Sequence, residues 1–244
     1  MRVTLRRVLG VWLAAVATAL AALTATPPCP AEAAAPWKGF VNAGIARVRS
    51  APNASAPIVE VLPQGTTITV AGWVTGQEVD PTNDTWAVLG DGRFVYSAVI
   101  QKNEPAGPPP VPGGVRYRGR WIDVNVTEQV LTAYEGATPV QVMVISSGRP
   151  EYPTPIGEFT ILKRVYNETM TSATLPWVRD NYELKDVLFT QYFTAEGAAL
   201  HLAYWKTRES FGIPTSHGCV GMPYEEAEWL WNWASEGTPV YIHE

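Results

Sequence analysis

A proline- and glycine-rich segment divides the chain and most restricts how it can fold. It runs from Glu104 to Gly114 and reads Glu-Pro-Ala-Gly-Pro-Pro-Pro-Val-Pro-Gly-Gly. Because proline fixes φ and lacks a backbone N–H, this segment cannot continue a helix or a sheet and is a semi-rigid linker with a flexible end. We therefore predict a linker at residues 103–115, between one domain at 37–102 and another at 116–244.

The composition favours a turn-rich β protein. The 244 residues include 21 prolines and 20 glycines, which suit turns between short strands better than a helical bundle. Apolar residues make up 46% and the formal charge is −5, which argues against a disordered chain. The negative formal charge also argues against a nucleic-acid partner, because proteins that bind nucleic acids usually carry an excess of basic residues.

The first 33 residues have the three parts of a secretory signal peptide. Three arginines precede an uncharged apolar run at residues 8–23, and small residues around Ala33 form a cleavage site. We predict a signal peptide over residues 1–33 and export to the bacterial periplasm or cell envelope. No integral membrane span is expected after cleavage; a retained anchor is the alternative.

Cleavage after Ala33 also removes one of the two cysteines. Cys29 lies in the leader, where a lipid-modified cysteine is an alternative interpretation, so Cys219 is the only thiol of the mature chain. Loss of three arginines and Glu32 changes the formal charge from −5 to −7. A lone thiol in an exported protein is either reactive or paired with another chain.

Short alternating runs before the linker predict a small barrel or sandwich. Asp91 and Gly92, between the last two runs, predict a tight hairpin. The five runs are Ile45–Arg49, Ile58–Leu62, Thr66–Val70, Trp86–Leu89 and Arg93–Tyr96.

The order of these runs resembles a bacterial SH3-like domain. The resemblance rests on the opening residues 47–52, the turn at 62–66 and the strand pair at 86–96. It implies a small β-barrel of a kind that often binds cell-wall peptides, with a passive spacer as the alternative. Trp73 and Trp86 could serve such binding or belong to the core.

Beyond the linker, the pattern predicts further strands and one C-terminal amphipathic helix, so the fold class is mainly β. Pro223 suits the first helical position, and Gly237 can end the helix. A polar segment at 167–185 without a clean period is interpreted as a long loop or lid. The apolar stripe of the helix comprises Ala227, Leu230, Trp231 and Ala234, and Thr238–Ile242 follows as a final strand.

Two of the three histidines lie close to the mature cysteine in the sequence. Cys219 ends the run Ser216-His217-Gly218-Cys219, and His201 precedes it by eighteen residues. A cysteine nucleophile needs a base or a positive field, and its oxyanion needs backbone donors that a neighbouring glycine leaves accessible. We expect the helix that begins near Pro223 to lower the pKa of Cys219.

His201 and the Ser216–Cys219 run together resemble the signature of the L,D-transpeptidases, the YkuD-like family of bacterial cell-wall enzymes. The likeness covers residues 118–242, including Pro153–Phe159 and Phe211–Pro214. It implies a β-rich catalytic domain that uses no metal or organic cofactor and acts on peptidoglycan stem peptides.

The resemblance also implies residue roles. Cys219 matches the nucleophile and His201 the base, whose ring the backbone carbonyl of Leu202 would orient. By the same resemblance, Gly218 and Cys219 supply oxyanion-hole amides, with the His217 amide as a further candidate, while His217 and Ser216 shape the loop. Trp205 and Gly221 occupy positions of substrate contact, and Gly221 departs from the Asn or Arg that the family usually has there.

Three other interpretations of these residues compete with a cysteine-nucleophile active site. Cys219 could be a buried, inert thiol. His201, His217 and Cys219 could form an open zinc site. Ser216 could be a nucleophile, although it lacks the G-x-S-x-G context.

The expected reaction is attack by Cys219 on the carbonyl between the third and fourth residues of a stem peptide, with release of D-Ala. An amine acceptor would give a cross-link between third residues, whereas water would make the protein an L,D-carboxypeptidase. A non-catalytic wall-binding adaptor and a ligase of envelope proteins are further alternatives. The sequence leaves the oligomeric state open.

Overall fold

A computed structural model describes residues 36–81, 83–105, 107, 111, 117–174 and 178–244. The predicted signal peptide and most of the predicted linker lie outside the described residues. The described residues belong to one compact unit. Below, residues 36–102 are called the N-terminal half and residues 117–244 the C-terminal half; the domain boundaries remain predictions.

The N-terminal half folds into two small sheets around one core. A three-stranded sheet has the order β4-β1-β8, and a five-stranded sheet has the order β3-β2-β7-β6-β5. The strands are β1 (Trp37–Val41), β2 (Ile45–Arg49), β3 (Ile58–Pro63), β4 (Thr67–Val70), β5 (Gly72–Asp80), β6 (Asn83–Val88), β7 (Phe94–Tyr96) and β8 (Ile100–Lys102).

All five strands predicted for this half are present, as β2, β3, β4, β6 and β7. The hairpin at Asp91 and Gly92 is confirmed, because both residues have the positive φ that a tight β-turn requires. Trp86 is a core residue at 1% exposure, and Trp73 meets the ring of Trp37 edge-on at 5.4 Å. The likeness to an SH3-like barrel stays a prediction.

The C-terminal half also contains two sheets, with orders β11-β10-β9-β17-β12 and β13-β14-β15-β16. Its elements are β9 (Arg120–Asn125), β10 (Val130–Glu135), β11 (Thr138–Val144), β12 (Gly157–Thr160), β13 (Lys163–Thr171), β14 (Glu183–Tyr192), β15 (Ala199–Leu202), β16 (Val220–Met222), α1 (Tyr224–Trp233) and β17 (Pro239–His243). The predicted mainly β fold is confirmed, and α1 is the one α-helix among the residues described.

One apolar core joins both sheets of this half to α1. It includes Ile122 of β9, Leu131 of β10, Phe189 of β14, Leu230 of α1 and Val240 of β17, all at most 2% exposed. Burial of such side chains contributes roughly 1.5–3 kcal/mol each relative to exposure. The core therefore fixes β15 and β16, which present the candidate site.

The helix differs slightly from its prediction. Pro223 lies at the N-cap rather than inside the helix, which ends at Trp233, before Gly237. Ala227, Leu230 and Ala234 are buried as the stripe predicts, whereas Trp231 is only half-buried. Across the described part of the chain, no helix has the length and apolar character needed to span a membrane.

The prediction of a long loop at residues 167–185 is wrong at both ends, because residues 167–171 and 183–185 lie in strands. β13 and β14 pair as a long hairpin, with register from Lys163 opposite Tyr192 to Thr171 opposite Glu183. A bulge lies between Glu168 and Met170, and both faces of β13 mix exposed and half-buried residues. Since neither face is cleanly buried, the alternation that identifies a strand is missing from the sequence.

Candidate active site

Parallel pairing of β15 and β16 brings His201 and Cys219 into neighbouring positions of the fold. His201 is opposite Gly221 in this register, and Cys219 immediately precedes the first residue of β16. A cavity of about 890 Å³ extends from the β13–β14 hairpin to Cys219. The candidate nucleophile thus lies on the wall of a cavity large enough for a peptide.

The loop from Ser216 to Cys219, here called the cysteine loop, is braced by its own serine. The Ser216 hydroxyl donates to the Cys219 carbonyl at 2.6 Å and accepts the Gly218 amide at 3.2 Å. Gly218 has φ +109°, a conformation that side-chain-bearing residues rarely adopt. These two hydrogen bonds brace the loop, and the second of them engages one predicted oxyanion donor, the Gly218 amide. The role expected of Ser216 stays a prediction.

A close backbone approach anchors the start of the cysteine loop. Gly148 forms a parallel bridge with Ser216, and a Cβ at Gly148 would lie 2.1 Å from the Tyr152 carbonyl oxygen. Only glycine fits there, because the backbone of residues 152–154 leaves no room for a side chain at position 148.

His201 is buried, at 4% exposure, and its orientation is fixed. Its Nδ1 lies 2.8 Å from the carbonyl oxygen of Leu202. Because a carbonyl can only accept, Nδ1 carries the proton and Nε2 keeps a lone pair. Burial lowers the pKa of His201, so the ring is neutral at pH 7 and suited to accept a proton.

The expected lowering of the Cys219 pKa is wrong. Burial raises the pKa of the thiol to about 11, with a smaller contribution in the same direction from the charge of Glu168. A hydrogen bond from the Ala199 backbone acts in the opposite sense but does not compensate. The thiol donates instead to the carbonyl of Gly197, with an Sγ–O distance of 3.8 Å, and not to His201. Desolvation of the buried thiol is therefore the largest cause of the shift.

Replacing Glu168 by glutamine should lower the pKa of Cys219, because it removes a negative charge that disfavours the thiolate. At a fixed pH below that pKa, the rate of Cys219 alkylation by iodoacetamide should rise about twofold to fivefold. Glu183→Gln is the matched control, since Glu183 lies exposed at the start of β14 and should leave the rate unchanged. An unchanged rate in Glu168→Gln would contradict the assignment of this charge effect.

His217 makes contacts that the sequence did not reveal. Its Nε2 lies 2.8 Å from Oδ2 of Asp180, and its ring lies between those of Tyr152 and Tyr182, at 5.1 and 5.0 Å. The hydrogen bond with His217 is the main cause that lowers the pKa of Asp180, assisted by Arg149. No local motif marks Asp180, whose only signal was its place in the polar segment 167–185.

Glu168 and Tyr192 were also missed. The Tyr192 hydroxyl donates to Oε1 of Glu168 at 2.9 Å, and both residues line the cavity. Burial and this acidic partner raise the pKa of Tyr192, so its hydroxyl stays protonated. The pair places a carboxylate on the same cavity wall as Cys219.

Two residues predicted to contact substrate lie away from the cavity wall. Trp205 is 44% exposed and covers His201, with 5.8 Å between the ring centroids. Gly221 is buried, and a Cβ there would lie 3.0 Å from Cβ of Ala203. A side chain at position 221 would thus be crowded against Ala203.

The alternative zinc site gains no support. Within the described residues, no three His, Cys, Asp or Glu side chains are grouped so that they could hold a metal ion. His217 turns towards Asp180, and Cys219 remains a free thiol.

Comparison with known proteins defines the class. Residues 119–242 match the family model described as the L,D-transpeptidase catalytic domain, YkuD. The match spans half of the chain, and the chain belongs to this family.

Individual relatives carry the same family name. Probable L,D-transpeptidase 3 of Mycobacterium tuberculosis is 36% identical over 107 residues, which cover 42% of this chain and 39% of that protein. L,D-transpeptidase 1 of the same organism is 24% identical over 120 residues, 48% of each chain. The chain thus spans less than half the length of these two curated relatives. A solved L,D-transpeptidase from Mycobacterium smegmatis aligns with 73% of this chain and 90% of its own, at 21% identity and a TM-score of 0.49.

Proposed function

We propose that the protein is an exported peptidoglycan L,D-transpeptidase that works through a Cys219 acyl-enzyme and releases D-Ala. The observation that carries the proposal is a thiol on the wall of a large cavity, beside a strand that holds a neutral, oriented histidine. The family membership of residues 119–242 supports the same reaction class.

The acylation step follows from the protonation states. Cys219 is a neutral thiol at pH 7, because its pKa is about 11. It must exchange its contact with the Gly197 carbonyl for Nε2 of His201, which takes the proton as sulfur attacks the donor carbonyl. The C–N bond to D-Ala then breaks, the imidazolium returns the proton to the leaving amine, and a thioester remains.

Backbone amides stabilise the oxyanion in this proposal. The Gly218 amide is held by the Ser216 hydroxyl at 3.2 Å, a long hydrogen bond that substrate can displace. We assign the amides of Cys219 and Gly218 as the donors, and the positive φ of Gly218 lets the substrate approach the main chain.

The charges on the cavity wall favour an amine as the acceptor. Three carboxylates, those of Glu151, Glu168 and Glu196, line the cavity together with one guanidinium, that of Arg179. Such a wall attracts a protonated amine and thereby raises the local concentration of the acceptor. We therefore favour cross-linking between third residues over hydrolysis, which would make the protein an L,D-carboxypeptidase.

A direct test is incubation with disaccharide tetrapeptides followed by mass spectrometry. The expected products are cross-linked dimers and free D-Ala in equal amounts, because each acylation releases one D-Ala and each aminolysis consumes one thioester. Tripeptides without dimers would show that water is the acceptor. No D-Ala release at all would contradict the proposal and favour a wall-binding adaptor.

Thiol labelling separates an enzyme from an adaptor only if the pH is varied. Since burial raises the pKa of Cys219 to about 11, slow labelling at neutral pH is expected even for an active enzyme. Covalent attachment of peptidoglycan fragments to envelope proteins, in a reaction that contains this protein, would identify the ligase alternative. Cell-wall binding by residues 37–102 and location in the periplasm or envelope remain part of the proposal.

A further inference from the structure

The residues that lead into the cysteine loop lie between the two halves of the molecule. Residues 211–215, here called the approach segment, belong to the C-terminal half and hydrogen-bond to other residues of that half on one side. The Gly212 amide donates to the Ile145 carbonyl at 2.8 Å, and the Thr215 amide donates to the Ser147 carbonyl at 3.0 Å. This side fixes the N–H groups of the segment.

The N-terminal half fixes the carbonyl groups of the same segment. Trp37 Nε1 of β1 donates to the Gly212 carbonyl at 2.5 Å, and Thr85 Oγ1 of β6 donates to the Pro214 carbonyl at 3.0 Å. Trp37 and Thr85 are 1% and 0% exposed. The two donors come from different sheets, so both sheets of the N-terminal half converge on two alternate carbonyls.

The fit between the halves is close at Gly212. This residue has φ +89°, and a Cβ there would lie 2.5 Å from Cβ of Lys102 in β8. The backbone of the approach segment therefore packs directly against a third strand of the N-terminal half.

An ionic contact links the N-terminal half to His217. The Arg149 side chain, 6% exposed, lies 3.9 Å from Asp84 of β6 and also forms a hydrogen bond with Asp180. Asp180 in turn holds Nε2 of His217, which lies two residues before Cys219. A second route thus runs from the N-terminal half to the cysteine loop.

We propose that the N-terminal half is a positioning element for the cysteine loop. It fixes the peptide planes of the approach segment and, through them, the orientation of Cys219 relative to His201. The inference rests on the proposed function. It differs from both sequence-based interpretations of this half, because neither a wall-binding module nor a passive spacer requires contacts with residues that lead into the nucleophile.

The physical basis is the sensitivity of acyl transfer to geometry. A misplacement of about 1 Å can cost on the order of 10²-fold in rate. Removing the Thr85 hydroxyl leaves the buried Pro214 carbonyl without its donor, and the segment relaxes towards another partner. Thr85 is therefore a positioning residue that acts through Pro214 and the cysteine loop.

The test uses three threonine variants of the full chain. Thr85→Val removes the interhalf hydrogen bond, Thr85→Ser keeps it, and Thr66→Val removes a hydroxyl that donates to the Pro63 carbonyl at 2.7 Å within the N-terminal half. For D-Ala release, we expect Thr85→Val to lower kcat about tenfold with less than a twofold change in KM. The kcat of Thr85→Ser should lie within about twofold of the parent value, and so should the kcat of Thr66→Val.

Two further readouts make the result decisive. Melting temperatures show whether the Thr85→Val protein is folded under assay conditions, and iodoacetamide alkylation of Cys219 reports loop geometry without any peptide substrate. A kcat in Thr85→Val equal to that of Thr66→Val, with alkylation rates also equal, overturns the inference. If neither the parent nor any variant releases D-Ala, the proposed function fails. Even then, an alkylation rate that changes only in the Thr85→Val variant supports the positioning role.

Discussion

Replacing Cys219 by alanine is expected to abolish both D-Ala release and dimer formation, with a loss of about 10⁴-fold or more in kcat. The reason is that the thioester cannot form without sulfur, and the described site offers no alternative nucleophile with an oriented base. Ser216, whose hydroxyl lies in the same loop, already donates to the Cys219 carbonyl and accepts the Gly218 amide. Mass spectrometry of D-Ala and muropeptides measures both losses at once.

The fold of the Cys219→Ala protein should be retained. The substitution removes one partly buried sulfur, so the melting temperature should change by only a few degrees. Intact-protein mass spectrometry adds a second check, because only the parent should show a transient mass increase of one acyl-tripeptide fragment. Product formation by a folded Cys219→Ala protein would disprove the cysteine mechanism.

Replacing His201 by asparagine should lower kcat by about 10²- to 10⁴-fold. The asparagine amide can still donate to the Leu202 carbonyl, but it has no counterpart of Nε2 to take the thiol proton. Because the Cys219 pKa is about 11, little thiolate forms without a base, and hydroxide replaces it only at high pH. The residual activity should therefore increase with pH where that of the parent is flat.

The acid limb of the parent tests the same assignment. His201 must be neutral to accept a proton, and burial lowers its pKa below the usual 6.5. Activity should thus persist as the pH falls through 6.5 and decline only when it passes the lowered pKa of His201.

His243 provides the matched histidine control. Its Nδ1 also contacts a backbone carbonyl, that of Glu244 at 2.9 Å, and its Nε2 lies 3.1 Å from Asp123. His243→Gln keeps a donor for the buried Asp123 and should change kcat less than about twofold. An equal loss in both histidine variants would point to a general structural effect instead of proton transfer.

Local patterns predicted much of the fold. The five strands of the N-terminal half, the hairpin at Asp91 and the stripe of α1 depend on residues a few positions apart, so the sequence records them directly. The motif around Cys219 is local in the same sense. His243 shows the limit, since its contact with Asp123 spans 120 positions of chain and no local pattern marks it.

The parts that the sequence did not predict depend on distant contacts. Asp180 reaches His217 of the cysteine loop across 37 positions of chain, and Arg149 reaches Asp180 across 31. Nothing near either residue in the sequence marks its partner. The error on the Cys219 pKa has the same origin. A helix start can be identified from Pro223 and the acidic residues after it, whereas desolvation depends on how β14, β15 and the cysteine loop pack together.

The contact between Trp37 and Gly212 has a consequence for how far the proposed enzyme could reach into the cell wall. Because β1 is held beside the approach segment, the length of the Pro/Gly-rich segment does not set the separation of the two halves. If the predicted leader is retained as an anchor, the chain that precedes Trp37 sets the distance of both halves from the membrane instead. From the end of the apolar run at Leu23 to Trp37, fourteen residues span at most about 50 Å. A retained leader would confine cross-linking to the wall layers within that distance of the bilayer, whereas cleavage after Ala33 would free the enzyme to act on outer layers.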